Sequence, residues 1–233
     1  MNNQFSLSEE DIKREQASFM TKVYGWMSLA LLVTGLVAVY VASNASLVSA
    51  IFGNKLVFWG LIIGEVLLVG YLAVAVHKMS AAVATAVFIG YAALNGLTMS
   101  FIFLIYTAES IGSTFFITGA TFAIMSVYGY VTKKDLTAIG SLLMMALMGM
   151  IIASLVNLFF QNEMLYWITT YAGILIFTGL IAYDTQKIKE MNVIGNEGTE
   201  EDRKEAVMGA LSLYLDFINL FLLLLRVFGR SKD

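Results

Sequence analysis

Long apolar runs separated by short polar stretches dominate this chain. Crossing the hydrocarbon core of a bilayer, roughly 30 Å thick, takes about 20 mostly apolar residues in a helix. Six runs clearly meet this length, and a seventh is apolar mainly in its second half. The pattern predicts seven membrane-spanning helices, at Val23–Val41, Val57–Val76, Ala81–Ile105, Gly112–Val131, Leu136–Phe160, Leu165–Tyr183 and Ala206–Phe228.

The connections between the predicted spans are short, except for the polar stretch DTQKIKEMNVIGNEGTEEDRKE between the sixth and the seventh. Short connections favour antiparallel neighbours in one compact bundle. We therefore expect a polar N-terminal tail at 1–22, one seven-helix transmembrane domain at 23–229 and a short C-terminal tail at 230–233.

The composition agrees with a membrane protein. Of the 233 residues, 59% are hydrophobic and 13% are charged, whereas about a quarter of the residues of a typical soluble domain are charged. Cysteine is absent, which excludes disulfides, thiol nucleophiles and thiolate metal sites. Lys and Arg form no cluster of the kind that binds nucleic acid, so we expect no nucleic-acid partner. The lipid bilayer is the expected surrounding partner.

The distribution of Lys and Arg predicts the orientation, since cytoplasmic loops carry an excess of both. Assigning the N-terminal tail and the even-numbered loops to one side places ten Lys and Arg there, against four on the other side. The N-terminus is therefore expected in the cytoplasm. The three cations of the C-terminal tail disagree if the seventh segment crosses fully. Either the Lys and Arg of the other loops determine the orientation despite these three, or the seventh segment is re-entrant and does not cross. We favour full crossing.

Three carboxylates lie within or at the end of the predicted spans: Glu65, Asp184 and Asp216. An ionised group near the bilayer centre costs at least about 2.5–3.5 kcal/mol, so its default interpretation is functional. No Lys or Arg lies inside the first six spans. These acids must therefore face water, each other, a neutral donor or a bound cation.

Asp216 lies in the last span, in the stretch LYLDFINLFLLLLR. Helical spacing places Ser212, Asp216 and Asn219 on one face, which we expect to line the bundle interior. Arg226 is about 15 Å further along the helix and cannot pair with Asp216. Structural interpretations stay open: Asp216 as a hydrogen-bonded acid that holds the bundle together, Asp184 as a helix end reaching the interface, and Glu65 as a packing contact.

The sequence contains no motif for catalysis or for a resident metal. Walker, His-Glu-x-x-His and Gly-x-Ser-x-Gly patterns are absent, as is a Gly-x-Gly-Asp pattern around the two aspartates. The acidic stretch NEGTEEDRKE does not fit an EF-hand and is interpreted as a solvated loop. The single histidine, His77, is expected at the surface. We therefore predict no enzymatic activity and no cofactor.

Several stretches resemble the Bax inhibitor-1 family of transmembrane proteins: NGLTMSFIFLIYT, TKKDLTAIGSLLMMALMGMIIASLVNLFF, and AYDTQKIKEM together with GALSLYLDFINLFLLLLRVFG. The last pair is the most specific, and the resemblance covers nearly the whole chain. The N-terminal MTKVYGWM and the long loop before the last span are most similar to the branch found in bacterial inner membranes.

The resemblance implies six helices in two layers of three around a central seventh, and a pH-sensitive calcium leak. By motif, Asp184 and Asp216 correspond to a carboxylate dyad that closes the pore, senses pH and binds Ca²⁺ as the permeating ion. Glu65 corresponds to an acid of the second span. We interpret Glu65, Asn219 and Ser212 as candidate pore or gating residues, the last two from their position on the face of Asp216.

Some members of the family carry a cluster of arginines where this chain reads VAVHKMSAA, and one of those arginines holds an aspartate of the dyad in the closed state. Only His77 and Lys78 offer charge in this stretch, so this contact is not carried over to this chain.

Two other functions are compatible with the same residues. The chain could be a regulatory protein that binds other membrane proteins, such as an integral-membrane protease, in stress survival. A proton-coupled exchanger would use the same two aspartates. Loss of function on deletion of residues 2–20 would favour a tail-mediated interaction, and saturable exchange of one ion against another would favour the exchanger.

Overall fold

The computed structural model describes residues 8–232, which fold into nine α-helices and one short 3₁₀ turn at Val76–Lys78. Residues 1–7 of the predicted N-terminal tail and Asp233 of the predicted C-terminal tail lie outside the described residues. The helices are α1 (Glu9–Ala42), α2 (Ala45–Phe52), α3 (Lys55–Ala75), α4 (Ala81–Met99), α5 (Ile102–Ile105), α6 (Ala108–Val131), α7 (Thr137–Phe160), α8 (Glu163–Met191) and α9 (Glu200–Phe228).

Seven membrane-length helices are present in residues 8–232, as the apolar pattern predicts. They are α1, α3 with its 3₁₀ extension, α4 continued by α5, α6, α7, α8 and α9. Their lengths and composition are sufficient to cross a bilayer, and the protein is an all-α polytopic membrane protein.

Several helices extend beyond the predicted spans. α1 begins at Glu9 behind a Ser8 cap whose hydroxyl accepts the N–H of Asp11, so most of the segment predicted as a tail is helical. The polar connection before the last span shrinks to residues 192–199, because α8 runs on to Met191 and α9 begins at Glu200. Polar residues thus extend α1, α8 and α9 beyond their apolar segments, at the end of the bundle where α1 begins.

The third predicted span is interrupted between α4 and α5. The Ser100 hydroxyl donates to the carbonyl of Leu97 at 2.6 Å, three residues before it. Hydroxyl groups that bond nearby backbone carbonyls compete with regular helical bonding. The interruption therefore arises from side chains, which the apolar pattern alone does not reveal.

α9 lies at the centre of the bundle. It packs against α1, α4, α6 and α8, whereas α3 packs on the outside of α4 and α7 on the outside of α8. Close contact between α6 and α8 needs a glycine, since a Cβ at Gly129 would collide with the backbone of Ala182. The central position of α9 places its polar side chains away from lipid.

α9 crosses the whole bundle. Its 29 residues correspond to about 43 Å of helix, more than the hydrocarbon core requires. After α9 the chain pairs with the connection between α5 and α6: the Thr107 N–H donates to Arg230 at 2.9 Å, and the Lys232 N–H donates to Ile105 at 2.7 Å. We call the end of the bundle where α9 ends the C-terminal end. The opposite end, where α1 begins, is the N-terminal end.

Candidate functional site

Asp184 and Asp216 meet inside the bundle, where α8 packs against α9. Their side chains lie close enough for the two carboxyl groups to interact. Asp216 is 5% exposed, and its Oδ2 atom accepts no hydrogen bond from the described residues. Asp184 is half-buried. The structure thus brings together the two acids that sequence analysis singled out from separate helices.

Among residues 8–232, no lysine or arginine forms an ion pair with either carboxyl group. Lys187 lies one turn beyond Asp184, but it is exposed, with its ammonium 5.8 Å from the centre of the Tyr183 ring. Two ionised carboxylates have no hydrogen to donate, so a hydrogen bond between them requires a shared proton.

The remaining residues of the predicted stripe are not bonded to the pair. The Asn219 amide donates to the carbonyl of Leu215 on its own helix at 2.8 Å. It also lines a small crevice that extends toward Arg226. Ser212 lies one turn before Asp216 and is half-buried. A role for Asn219 or Ser212 in a pore therefore stays a prediction.

Glu65 lies apart from the pair, on the peripheral helix α3. It is half-buried and accepts a hydrogen bond from the Thr98 hydroxyl of α4 at 2.7 Å. This bond joins the outer helix to its neighbour, which agrees with the packing interpretation. The pore or gating interpretation of Glu65 stays a prediction.

Tyr214 is a buried polar residue that sequence analysis missed. Its side chain is fully buried, and its hydroxyl lies 2.8 Å from the hydroxyl of Thr34 on α1. Thr34 already donates to the carbonyl of Ala92 at 2.8 Å, so Tyr214 is the donor between the two hydroxyls. A tyrosine in an apolar central helix needs such a partner, which is the signal that could have identified it.

A buried ion pair at the N-terminal end was also missed. Asp202 is 1% exposed and accepts from the Lys22 ammonium at 2.8 Å and from the Gly198 N–H at 2.8 Å. The Thr199 hydroxyl in turn caps α9 by accepting the N–H of Asp202. The stretch TEED, from Thr199 to Asp202, resembles a capping box, which marks the start of a helix. The interpretation of this stretch as a solvated loop missed that signal.

Within residues 8–232, no group of three or more His, Asp or Glu side chains converges as a metal site. A Ca²⁺ ion at the carboxyl pair would therefore need carbonyl oxygens or water to complete its six to eight ligands. His77 is exposed in the 3₁₀ turn.

The fold and the buried acids define a polytopic α-helical membrane protein with a carboxyl pair between two of its helices. The chain belongs to the Bax inhibitor family, because the model of the family described as "Inhibitor of apoptosis-promoting Bax1" matches residues 16–233. This confirms the resemblance drawn from the sequence.

Relatives from distant bacteria match almost the full chain. An Escherichia coli K12 protein named "Inner membrane protein YbhL" is 50% identical over 216 residues, 92% of each chain. An uncharacterized protein of Borreliella burgdorferi is 46% identical over 92% of this chain and 93% of its own. An uncharacterized membrane protein of Streptococcus pyogenes is 35% identical over 99% of this chain and 100% of its own.

Proposed function

We propose that this protein is a passive, pH-sensitive leak for calcium, gated by the contact between Asp184 and Asp216. The observation that carries the proposal is the meeting of two carboxyl groups, without a partner cation, inside a bundle of membrane-length helices. Acids in such positions are costly, and they commonly mark ion pathways.

The contact between the two carboxyl groups provides the gate. With a proton between them they hold α8 and α9 together, and the pair carries one negative charge instead of two. Two adjacent carboxylates cannot both ionise without strong repulsion. Loss of the shared proton therefore favours separation of Asp184 from Asp216.

The direction of the pH effect follows from this proton. Low pH keeps the proton bound and favours the contact, so the pathway is closed. Rising pH removes the proton, and the two carboxylates repel each other and attract Ca²⁺, which prefers carboxylate and carbonyl oxygen. The calcium flux is therefore expected to increase with pH.

The test is calcium flux through purified protein in proteoliposomes across a series of pH values. The wild-type flux should rise with pH, and Asp216→Asn should remove this rise because the amide cannot ionise. Glu190→Gln is the matched control, since Glu190 is exposed near the end of the same helix as Asp184. A wild-type flux no larger than that of empty liposomes would overturn the proposal.

The same preparation distinguishes a leak from an exchanger. A leak passes calcium down its gradient without a counter-ion, whereas exchange saturates and requires a second ion on the opposite side. We expect flux in the absence of any counter-ion gradient. Strict dependence on an opposing gradient would assign the carboxyl pair to an exchanger.

The structure changes the test for a partner-binding tail. Phe19 and Met20 are buried in the core, and the Ser18 hydroxyl donates to Glu197 at 2.6 Å. Deleting residues 2–20 would thus remove packing as well as a docking segment. Deleting residues 2–7 is the cleaner test, and we expect the shortened protein to keep its calcium flux.

The proposed location is the bacterial inner membrane, with the N-terminus in the cytoplasm. The location is supported by the relative that carries "inner membrane" in its name, and the orientation by the excess of Lys and Arg at the N-terminal end of the bundle. Cysteine labelling with a membrane-impermeant reagent tests the orientation directly, because the chain has no cysteine of its own. A cysteine introduced at Glu109, which is exposed in the first turn of α6, should be labelled from outside.

A further inference from the structure

A cavity opens at the C-terminal end of the bundle, where α7 ends, α8 begins and α9 ends. Its volume is about 500 Å³, and its wall comes from these three helices. A crevice of about 130 Å³ continues from it toward the middle of the membrane. Ser154, Thr169 and Arg226 line both spaces. The two spaces therefore adjoin each other, and we treat them as the outer and the inner part of one site.

The outer part holds one group of each charge. The guanidinium of Arg226 lies 5.4 Å from the centre of the Tyr166 ring, and none of the ion pairs in residues 8–232 includes it. Stacking on a ring leaves the N–H edge of a guanidinium free to bind an oxyanion. Glu163 supplies a carboxylate to the same cavity. A ligand that is itself zwitterionic matches this arrangement.

Two asparagines add donors beside Arg226. The Asn157 Oδ1 atom accepts the N–H of Asn162 at 2.8 Å, and the Asn162 Oδ1 atom accepts the N–H of Leu165 at 2.9 Å. Because backbone N–H groups can only donate, these bonds fix the orientation of both amides. Each side chain is left with an NH₂ group that donates to no described residue. The cavity thus offers an oxyanion one guanidinium and two amide donors.

The inner part of the site is lined by apolar and polar residues in equal number. The apolar ones offer contact to part of a hydrocarbon chain: Met150, Phe177, Leu222 and Leu223. The polar ones are Ser154, Thr169, Asn219 and Arg226. Outside it, Tyr166, Trp167 and Tyr171 form a row with ring centres 5.5 and 5.8 Å apart. Tyr and Trp concentrate at the level of lipid headgroups. The polar part of the site therefore lies at headgroup depth, and the crevice lies at acyl-chain depth.

We propose that this site binds a zwitterionic phospholipid with a primary ammonium, of the phosphatidylethanolamine type. The phosphate binds Arg226 and the amides of Asn157 and Asn162, the ammonium binds Glu163, and part of an acyl chain enters the crevice. A free phosphate ion would leave the carboxylate and the apolar residues of the crevice unused. A lipid with an anionic headgroup would lack a cation for Glu163.

Native mass spectrometry of the purified protein titrated with single lipids tests this proposal. The wild type should bind phosphatidylethanolamine more tightly than phosphatidylglycerol. Arg226→Gln should weaken phosphatidylethanolamine binding about tenfold, the usual value of a charge-assisted hydrogen bond. Arg230→Gln is the control, because Arg230 is exposed at the same end of the bundle but does not line the cavity. Equal binding by both variants would overturn the proposal.

Glu163→Gln tests the ammonium contact separately. This variant should keep its affinity for phosphatidylglycerol and lose the preference for phosphatidylethanolamine. Inorganic phosphate added in excess should leave lipid binding unchanged in the wild type. Displacement of the lipid by phosphate, or an unaltered preference in Glu163→Gln, would contradict a zwitterionic lipid site.

A fluorescence measurement covers the case in which Arg226→Gln does not fold. Trp167 becomes the sole tryptophan when Trp26 and Trp59 are replaced by Phe, since the chain has three. In detergent, phosphatidylethanolamine with brominated acyl chains should quench Trp167 at lower concentration than brominated phosphatidylglycerol. Equal quenching by the two lipids would overturn the proposal. Neither readout depends on calcium flux, so a negative flux result leaves this test unaffected.

Discussion

Two aspartates on the same helix are buried to nearly the same extent but have opposite partners. Asp202, at the start of α9, is 1% exposed and Asp216, near its middle, is 5% exposed. Asp202 bonds a lysine ammonium and a backbone N–H. Asp216 meets another carboxyl group, and its Oδ2 atom accepts no bond from the described residues.

The difference separates an anchor from a proposed switch. Asp202 bonds a lysine of α1 and the backbone before α9, so it fixes the start of α9 against α1. A carboxylate bonded to a second acid is stable only while the two share a proton. In the proposed mechanism one helix therefore carries a fixed end and a pH-sensitive middle.

The largest stability effect is expected at the anchor. Asp202→Asn leaves Lys22 and the Gly198 N–H with a weaker acceptor. It should lower the free energy of unfolding by about 2 kcal/mol, because the charge of Lys22 loses its partner. The loss is not larger because Lys22 is partly exposed to solvent. Unfolding in mixed micelles with increasing SDS measures this. Glu201→Gln is the control, because Glu201 is exposed next to Asp202, and it should have little effect. Equal losses in the two variants would show that Asp202 is not an anchor.

The same substitution at Asp216 is expected to cost less. An amide can donate to Asp184 in place of the shared proton, so Asp216→Asn should change the free energy of unfolding by less than about 1 kcal/mol. The measurement is again unfolding in SDS, at a pH where the wild-type pair holds its proton. A loss as large as that of Asp202→Asn would favour the structural interpretation, in which the pair locks the helices.

Tyr214 offers a smaller test on the same helix. Tyr214→Phe removes the donor to Thr34 while Thr34 keeps its own bond to the carbonyl of Ala92, so about 1 kcal/mol of stability should be lost. The pH profile of calcium flux should stay unchanged, because Tyr214 has no part in the proton shared by the pair. A shifted profile would show that the switch extends beyond Asp184 and Asp216.

The smallest effect is expected at Glu65. A glutamine can still accept the hydrogen bond of Thr98, so Glu65→Gln should change stability by less than about 0.5 kcal/mol, the usual limit for a substitution that preserves its contacts. Calcium flux across the same pH series should match the wild type. A flux that falls as far as in Asp216→Asn would make Glu65 part of the pathway instead of a packing contact.

The sequence predicts the membrane helices and both acids of the pair because these features depend on composition and on the cost of charge in lipid. The contact between Asp184 and Asp216 could be expected only from the family resemblance, since helical periodicity gives the faces of α8 and α9 but not their relative position. The Lys22–Asp202 pair escaped prediction for another reason. It joins residues that are 180 positions apart in the sequence. Both residues lie in polar stretches that the sequence alone describes as solvated. In the structure, α1 and α9 extend beyond their apolar spans and bring these stretches together.

The cavity at the C-terminal end could not be predicted for a similar reason. Arg226 looks like an ordinary interfacial cation at the end of α9, and Asn157 and Asn162 look like residues of a helix connection. Their combination depends on how three helix ends meet. Distances along one helix are fixed by its geometry, whereas distances between helices depend on packing.

The most direct test of the central claim is calcium flux across pH in Asp184→Asn, Asp216→Asn and the double variant. Two acids that share one proton act as a unit, so each single substitution should abolish the rise of flux with pH, and the double variant should match the single variants. Independent contributions, with a partial loss in each single variant and a summed loss in the double variant, would contradict the shared-proton gate.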